Sequence, residues 1–509
     1  MPDSPSFTRS DNLGAFSDAL RHSHQPAFIM PPTDGQPREI TFQQLDNMAN
    51  AIGLGLQRFD WPQGSRVAIL ARNSIDYIAS LLGIMRAGLV AVPINFRFPV
   101  ETIERILTDS DSRLLLGDED QLKRVVSDIA RVPFGAELTA LQRVGQLECF
   151  TPAQDDLALM LYTSGSTGMP KGVRLTHASH RWVVETRLAA QELTGERVLI
   201  AAPFYHMNAL ALALLTLASQ VTTVLLPQFE ARRYLEAMNH YRCTWLTAVP
   251  PMLAMMLQEK DLLEAYDLSC VRVIRMGSAP VSNSLYRSLR HWLPQARIIN
   301  AYGTTEAGPV VFAQHPQGLT APAGSPGYPH PAVSVRLRND IGALADEGVL
   351  EMKSPALMQG YHRRPDVPEP FSADGYYITG DVFRRDENGF FWFVGRHDDM
   401  FVCGGENIWP GEVEKLLESH PQVQQACVVP VTDDIKGQKP AAWVILRAGE
   451  LVDPSELKNW VLQHGPAYLH PRHIWLTDHF PLAGTNKIDR RALQTAAEQR
   501  VNGGNAHDL

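Results

Sequence analysis

Leu161-Tyr-Thr-Ser-Gly-Ser-Thr-Gly-Met-Pro-Lys-Gly-Val173 is a run of hydroxyls and glycines that closes on a lysine, directly behind the apolar stretch Leu157–Leu161. Small residues let backbone N–H groups approach an anion. The hydroxyls of Thr163, Ser164, Ser166 and Thr167 add donors, Gly165 and Gly168 keep the backbone thin, and Lys171 adds a point charge. The run therefore predicts a cradle for a polyphosphate. It is not the G-x-x-x-x-G-K-[ST] loop, because five residues past Gly165 stands Pro170 and five past Gly168 stands Val173. A glycine-rich surface turn is the other reading of such a run, so the choice rests on what surrounds it.

Upstream, an amphipathic helix (residues 42–59) leads to alternating apolar runs (67–71, 89–94, 114–116) and helices (75–87, 102–107). Downstream the same alternation returns, with strand-like runs at 198–202, 221–226, 245–249, 271–276 and 297–300 between helical segments. Strands alternating with helices predict an α/β fold of parallel-rich sheets covered on both faces. From about Gly324 the texture turns to Gly, Pro and short alternating runs (333–337, 349–353, 390–394), a small β-rich element of mostly antiparallel strands. Residues 1–395 are thus expected to form one large N-terminal domain. The charged stretch 396–399 separates it from residues 400–499, which read as a compact α+β domain of their own. In that domain Asp453 can cap a helix, Pro454 suits its first turn and Glu456 completes a capping box. Residues 500–509 are expected to be a disordered tail.

Composition excludes several classes. At 509 residues, 45% apolar and 20% charged, the chain is an ordinary globular protein too long for one core. A net charge of −9 argues against a nucleic-acid binder. Five scattered cysteines without C-x-x-C spacing support neither a disulfide framework nor a zinc site, and point to a reducing cytoplasm. The N-terminus lacks the apolar segment of a secretory signal. Residues 207–229 carry no charge, but polar residues and a turn-like Ala218-Ser219-Gln220 interrupt them, so buried core is expected and no membrane span.

Four further segments complete the pattern: Asn300-Ala-Tyr-Gly-Thr-Thr-Glu306, Tyr376-Tyr-Ile-Thr-Gly-Asp381, Gly395-Arg396-x-Asp398-Asp399 with Gly404-Gly405-Glu-Asn-Ile-Trp-Pro410, and Gly484-Thr-Asn-Lys487-Ile. With the Ser/Gly/Lys loop, in this order, they resemble the adenylate-forming superfamily of acyl-CoA synthetases, adenylation domains and luciferases, from about Phe42 to Leu493. The G-G-E-N-I-W-P version looks most like aryl- and medium-chain acyl-CoA ligases.

The resemblance implies ATP, Mg2+ and coenzyme A, and a small-molecule carboxylic acid as the other substrate. An acid is made reactive by transfer of AMP, which brings two anions together and needs positive charge and N–H donors. In these terms Tyr302 offers a face for adenine, Gly277, Ser278 and Ala279 border the ring, and Asn300 is available for its amino group. Asp381 is matched to the ribose ligand, with Arg396 as a second contact. Thr305 can donate to the α-phosphate and Glu306 is the magnesium ligand. Lys487 bridges the acid and the α-phosphate. Asp398 takes the hinge position in the stretch 396–399, residues 400–499 are the small, mobile C-terminal lid, and Gly404 and Gly405 border the pantetheine tunnel once that lid rotates. Taken singly, each motif also reads as a strand end, a turn or a solvated lysine.

His206, Met207, Thr247, Met276, Ala301, Gly303 and Gly308 are candidates to line the acyl site, with Gly303 leaving room for the acyl group to pass. They are mostly apolar or small, which favours an apolar acid; for His206 a core histidine beside Tyr205 is the competing reading. No acid stands where amino-acid-activating relatives carry one, so an α-amino acid is disfavoured. The expected activity is an AMP-forming acid:CoA ligase. A stand-alone loader of an acyl carrier protein is the alternative acceptor reading, and a catalytically silent acyl-adenylate sensor the alternative outside enzymes. A homodimer is left open.

Overall fold

A computed structural model describes residues 11–15, 22–32, 35–163, 170–277, 281, 283–339, 341–403, 405–483 and 487–503. The alternating pattern folds into two parallel-rich sheets. In the first, the strands run in the order Ala130–Pro133, Ser112–Gly117, Arg66–Leu70, Val90–Pro93, Leu157–Thr163, Lys171–Thr176. Only the last pair, the hairpin carrying the Ser/Gly/Lys loop, is antiparallel. In the second sheet the order is Arg297–Ala301, Val273–Gly277, Trp245–Ala248, Val198–Ile200, Thr223–Leu225, Pro26–Met30, Arg38–Thr41, again parallel except for the final pair.

Helices with apolar residues all round end up inside. Every residue of Ile75–Arg86 is buried, and all of Met207–Ala218 except Asn208. The uncharged stretch at 207–229 is thus core, with a turn at Ser219–Gln220 before the strand Thr223–Leu225. No helix among the described residues is long and apolar enough to cross a membrane. The helix Phe42–Gln57 starts on a capping box between Thr41 and Gln44 and packs on Ile75–Arg86, where a buried Arg86–Asp46 pair at 2.8 Å joins the two. Breaking such a pair by removing one partner leaves a buried charge and costs about 3–5 kcal/mol.

The Gly/Pro-rich third forms the expected antiparallel sheet, Ser334–Arg338, Glu347–Lys353, Tyr377–Arg385 and Phe391–Arg396. A short turn of 3-10 helix, His397–Asp399, follows, and Phe401–Cys403 opens another sheet. That sheet pairs Val423–Asp433 with Gly437–Leu446, and strand alternation divides their side chains between two cores. Ala426, Val428, Ala442 and Val444 pack with Val413 and Leu417 of the helix Pro410–Glu418, and with Leu457 and Val461 of the helix Pro454–His464. Cys427, Val429, Ala441 and Trp443 pack with Leu493 and Ala497 of the helix Arg490–Gly503.

Two sequence expectations are corrected here. The chain is still helical at 500–503, because the Arg500 guanidinium lies over the Trp443 ring at 4.6 Å and the Trp475 ring at 5.8 Å; residues 504–509 lie outside the described part. At the helix Pro454–His464, Asp453 caps the Ser455 N–H at 2.7 Å, but the Glu456 carboxylate stands 3.8 Å from His420 Nε2 rather than returning to the cap.

Candidate active site

The C-terminal ends of the central strands, the antiparallel sheet and the C-terminal unit border one cleft of about 2410 Å³. Thr163 and Lys171 stand opposite each other at the base of the hairpin and line this cleft. Ser164, Gly165, Ser166, Thr167 and Gly168 lie outside the described residues. The Lys171 ammonium sits over the Tyr361 ring, 4.6 Å from its centre, and the Tyr361 hydroxyl donates to Glu306 Oε1 at 3.0 Å. Backbone bonds hold this bridge: Met358 N–H donates to Glu306 O, and His362 N–H to Gly172 O. Tyr361 was not singled out from the sequence; its only local signal is an aromatic in the Gly-Tyr-His stretch between two motifs.

A second cluster forms around Asp381. Its Oδ1 pairs with Arg396 at 2.8 Å, its Oδ2 accepts from the Tyr302 hydroxyl at 2.5 Å, and its own N–H donates to Thr379 Oγ1. Burial, with the adjacent Asp381 charge, holds the Tyr302 phenol well above its ordinary pKa, so it stays a donor. The Tyr302 ring packs edge-on against Phe383 with centroids 4.8 Å apart. Asn300 donates to Gly324 O at 2.9 Å, and its Oδ1 accepts no hydrogen bond among the described residues. Gly277 stands in register with Ala301, and a Cβ there would come within 3.0 Å of Ala301 O. Ser278 and Ala279 lie outside the described residues. Thr305 and Glu306 both line the cleft.

Lys487 enters the same cleft from the C-terminal unit. It sits at the foot of a turn closed by the Leu482–Ile488 bridge and by Ala483 N–H donating to Lys487 O. Three residues on, Arg490 clamps Glu414 of the helix Pro410–Glu418 with contacts of 2.6 and 2.9 Å, which fixes the turn on its domain. Lys487 keeps solvent contact through the cleft, yet the protein around it desolvates the ammonium and lowers its pKa; Asp381 and Glu306 oppose that shift and Arg396 adds to it. The lysine therefore feels both clusters described above. Arg490 and Glu414 were not found from the sequence, since a helix-start arginine and a surface-pattern glutamate carry no motif.

The acyl-site candidates divide. His206, Met207, Ala301 and Gly303 line the cleft. Tyr205 packs edge-on to His206 at 4.6 Å, and Met207 Sδ is 3.2 Å from Nε2 of the buried His180. Thr247, Met276 and Gly308 do not line it and are corrected. Thr247 and Met276 are 0% exposed, and Gly308 is buried against Ala356 and Val183. For Met276 the reason is strand alternation: its neighbours Arg275 and Gly277 face the cleft, so it faces the core. Gly303 has a reason beyond room for the acyl group, because a Cβ there would come within 2.6 Å of Gly308 O and Pro309 Cα.

Asp398 is exposed in the 397–399 turn, 3.7 Å from Arg396. Gly405, at φ +95°, closes the tight turn between Phe401–Cys403 and Glu406–Ile408 and is not among the residues lining the cleft. Gly404 lies outside the described residues.

The profile described as AMP-binding enzyme matches residues 16–362, and the one described as AMP-binding enzyme C-terminal domain matches 412–487, ending on Lys487. A feruloyl-CoA synthase of Amycolatopsis sp. is 33% identical over 462 residues, 88% of this chain and 92% of that protein. A fatty acid–[acyl-carrier-protein] ligase of Streptomyces coeruleorubidus is 30% identical, over 92% of this chain and 94% of its own length. Among solved structures, an anthranilate CoA ligase in complex with anthranoyl-AMP has a TM-score of 0.86 at 25% identity, covering 98% of this chain and 99% of its own.

Proposed function

The chain belongs to the family of AMP-binding enzymes, and on that premise we propose that it is an ATP-dependent carboxylic acid:CoA ligase. In the first step a carboxylate oxygen of the acid bonds to the α-phosphorus of ATP as the bond to the β-phosphate oxygen breaks, releasing pyrophosphate. In the second, the sulfur of CoA, having lost its proton, attacks the acyl carbonyl and AMP departs with the bonding electron pair.

One observation carries the reading. Lys487, from the C-terminal unit, lies within electrostatic reach of both Asp381 and Glu306 in a single cleft. A cation there offsets the repulsion between an incoming carboxylate and a phosphate, and in a site partly shielded from water it does so strongly. Asp381 is read as the ribose ligand, with Arg396 and Tyr302 fixing its orientation and Arg396 as the second ribose contact. Thr305 is read as a donor to the α-phosphate. Thr163, Lys171 and the intervening loop are read as the pyrophosphate cradle.

Glu306 fits a magnesium ion, which would neutralise charge on the phosphate oxygens. One of its carboxylate oxygens is engaged by Tyr361, and among the described residues the other accepts no hydrogen bond. A single protein carboxylate suffices where substrate phosphates supply further oxygens. The lobe arrangement, with Lys487 at the cleft and Gly405 away from it, is read as the adenylating one, and the 397–399 turn as the hinge to a thioester-forming one. The five free cysteines suit a reducing, cytoplasmic setting.

Pyrophosphate release should be screened over benzoates, cinnamates and straight-chain acids, with and without CoA. Acid-dependent release with thioester formation supports the proposal, and release from no acid overturns it. The 30% identical carrier-protein ligase favours a second reading, in which a holo-carrier protein consumes the adenylate. Thioester on the carrier but not on CoA would select it.

A further inference from the structure

The acyl side of the cleft is not wholly apolar. Arg275, 8% exposed, lines it from the strand Val273–Gly277. It stands two residues before Gly277 on the same face, so its Cα lies roughly 6–7 Å deeper along the strand than the nucleotide end of the site, about the span of an aryl ring or a short chain. Its guanidinium is held loosely: Nη1 donates to Asn208 Oδ1 at 3.2 Å and Nη2 to Pro309 O at 3.5 Å. Both acceptors are neutral, and a guanidinium has five N–H donors. Among the described residues no carboxylate is ion-paired with Arg275. The acid whose field it feels, Glu192, is itself clamped by Arg187 at 2.5 Å. Burial and the neighbouring Arg187 charge push its pKa down to about 10, the mark of a cation short of counter-charge.

A buried cation without a partner is costly, and a ligand oxygen that completes its hydrogen bonds removes much of that cost. We propose that Arg275 reads the far end of the acid, so that the enzyme prefers acids whose remote end carries a hydrogen-bond-accepting oxygen, a second carboxylate above all, over acids ending in hydrocarbon. This rests on the ligase reading and adds to it a substrate class. It also modifies the sequence expectation of an apolar acid: the walls are apolar, but the floor is not.

The test compares kcat/KM for pyrophosphate release between matched acids. One set pairs dicarboxylates with monocarboxylates of equal length; the other compares para-carboxy, para-hydroxy and para-methyl benzoates and cinnamates. Wild type is expected to favour the acceptor-ended acid by on the order of 10- to 100-fold, the scale of a hydrogen bond to a charged group. Arg275→Met should abolish or invert that ratio, while ATP still raises the melting temperature of the variant as it does that of wild type. Arg275→Lys should keep part of the preference. If Arg275→Met does not fold, the wild-type ratios and Asn208→Ala, which loosens the guanidinium, carry the test. Acids activated without regard to their remote end, or a ratio unmoved in Arg275→Met, overturn this inference alone. An enzyme that activates no acid overturns the ligase reading with it.

Discussion

Arg396 faces Asp381 in register across two antiparallel strands, Nη1 to Oδ1 2.8 Å, while the Tyr302 hydroxyl holds the other carboxylate oxygen. Arg396 is 15 residues from Asp381 across a hairpin, whereas Tyr302 is 79 residues away, and the two donors together fix the carboxylate. A carboxylate has about four acceptor sites, so two engaged donors leave capacity for a diol. The same ion pair lies at the start of the 397–399 turn, so the proposed ribose site and the proposed hinge adjoin.

Asp381→Asn should weaken ATP binding by roughly 10- to 100-fold, the scale of a charge-assisted hydrogen bond. The fold should lose little, because Arg396 is 43% exposed and water can solvate it once unpaired, while the amide left at the buried position 381 carries no charge. The ATP KM in pyrophosphate release and a thermal melt separate the two effects. A large drop in melting temperature with an unchanged KM would make the cluster structural.

Lys487→Ala should cost adenylation at least ~10²–10³ in rate, about 3 kcal/mol, the scale for removing one transition-state donor. Preformed acyl-adenylate should still react with CoA in this variant, since the proposal assigns the lysine to the first step alone. Assaying the two half-reactions separately checks it. Full acid-dependent pyrophosphate release by the variant would refute the role.

Tyr361→Phe keeps the ring under Lys171 but removes the hydroxyl that orients Glu306. A hydrogen bond to a carboxylate contributes about 1.5–3 kcal/mol, so the apparent Mg2+ requirement for pyrophosphate release should rise by roughly 10- to 100-fold. Tyr361→Ala should lose more, because it also removes the cation–π contact. A Mg2+ titration of activity at saturating ATP reads both, and an unchanged requirement in Tyr361→Phe would free Glu306 from this support.

Periodicity carried the α/β architecture, because buried parallel strands and their covering helices differ in period and length over long segments. The motifs pointed to Lys171, Tyr302, Glu306, Asp381 and Lys487, which the fold brings to one cleft, because the task proposed for each restricts the residue type. What sequence could not carry was which face a strand residue presents once both faces are apolar. Met276 and Arg275 are neighbours on one buried strand, and alternation sends the arginine, not the methionine, into the cleft. Nor could it carry contacts closed only by folding, such as Tyr361 with Glu306, 55 residues apart, or Arg490 with Glu414, 76 apart.

His177 predicts an acid limit on stability. Its ring is buried, its Nδ1 accepts from Leu13 N–H at 3.0 Å, and desolvation pushes its pKa down to about 4. An unfolded imidazole binds its proton near 6.5. Between those values the unfolded chain holds a proton that the folded chain does not, so stability falls as pH drops from about 6.5 towards 4, by up to about 3 kcal/mol. The segment 11–15 that the ring anchors should loosen first. Melting temperature against pH, with proteolysis of the N-terminal segment at pH 5 and 7, tests this; because burial also pushes His180 down to about 4, His177→Gln should remove only about half of the dependence.

The hinge reading makes a different demand, because it concerns two states and not one site. Asp398 lies in the 3-10 turn 397–399, exposed, with sheets ending at Arg396 and beginning at Phe401 on either side. A rotation of the C-terminal unit must be absorbed by a few backbone dihedrals in such a turn. Proline fixes φ near −65°, so Asp398→Pro should hold one lobe arrangement and impair the half-reaction that needs the other. The arrangement with Lys487 in the cleft is the one described here, so adenylation should survive better than thioester formation. Single-turnover assays of pyrophosphate release and of CoA acylation from preformed adenylate read the two rates separately. Equal losses in both would mean that the lobes do not pivot at this turn.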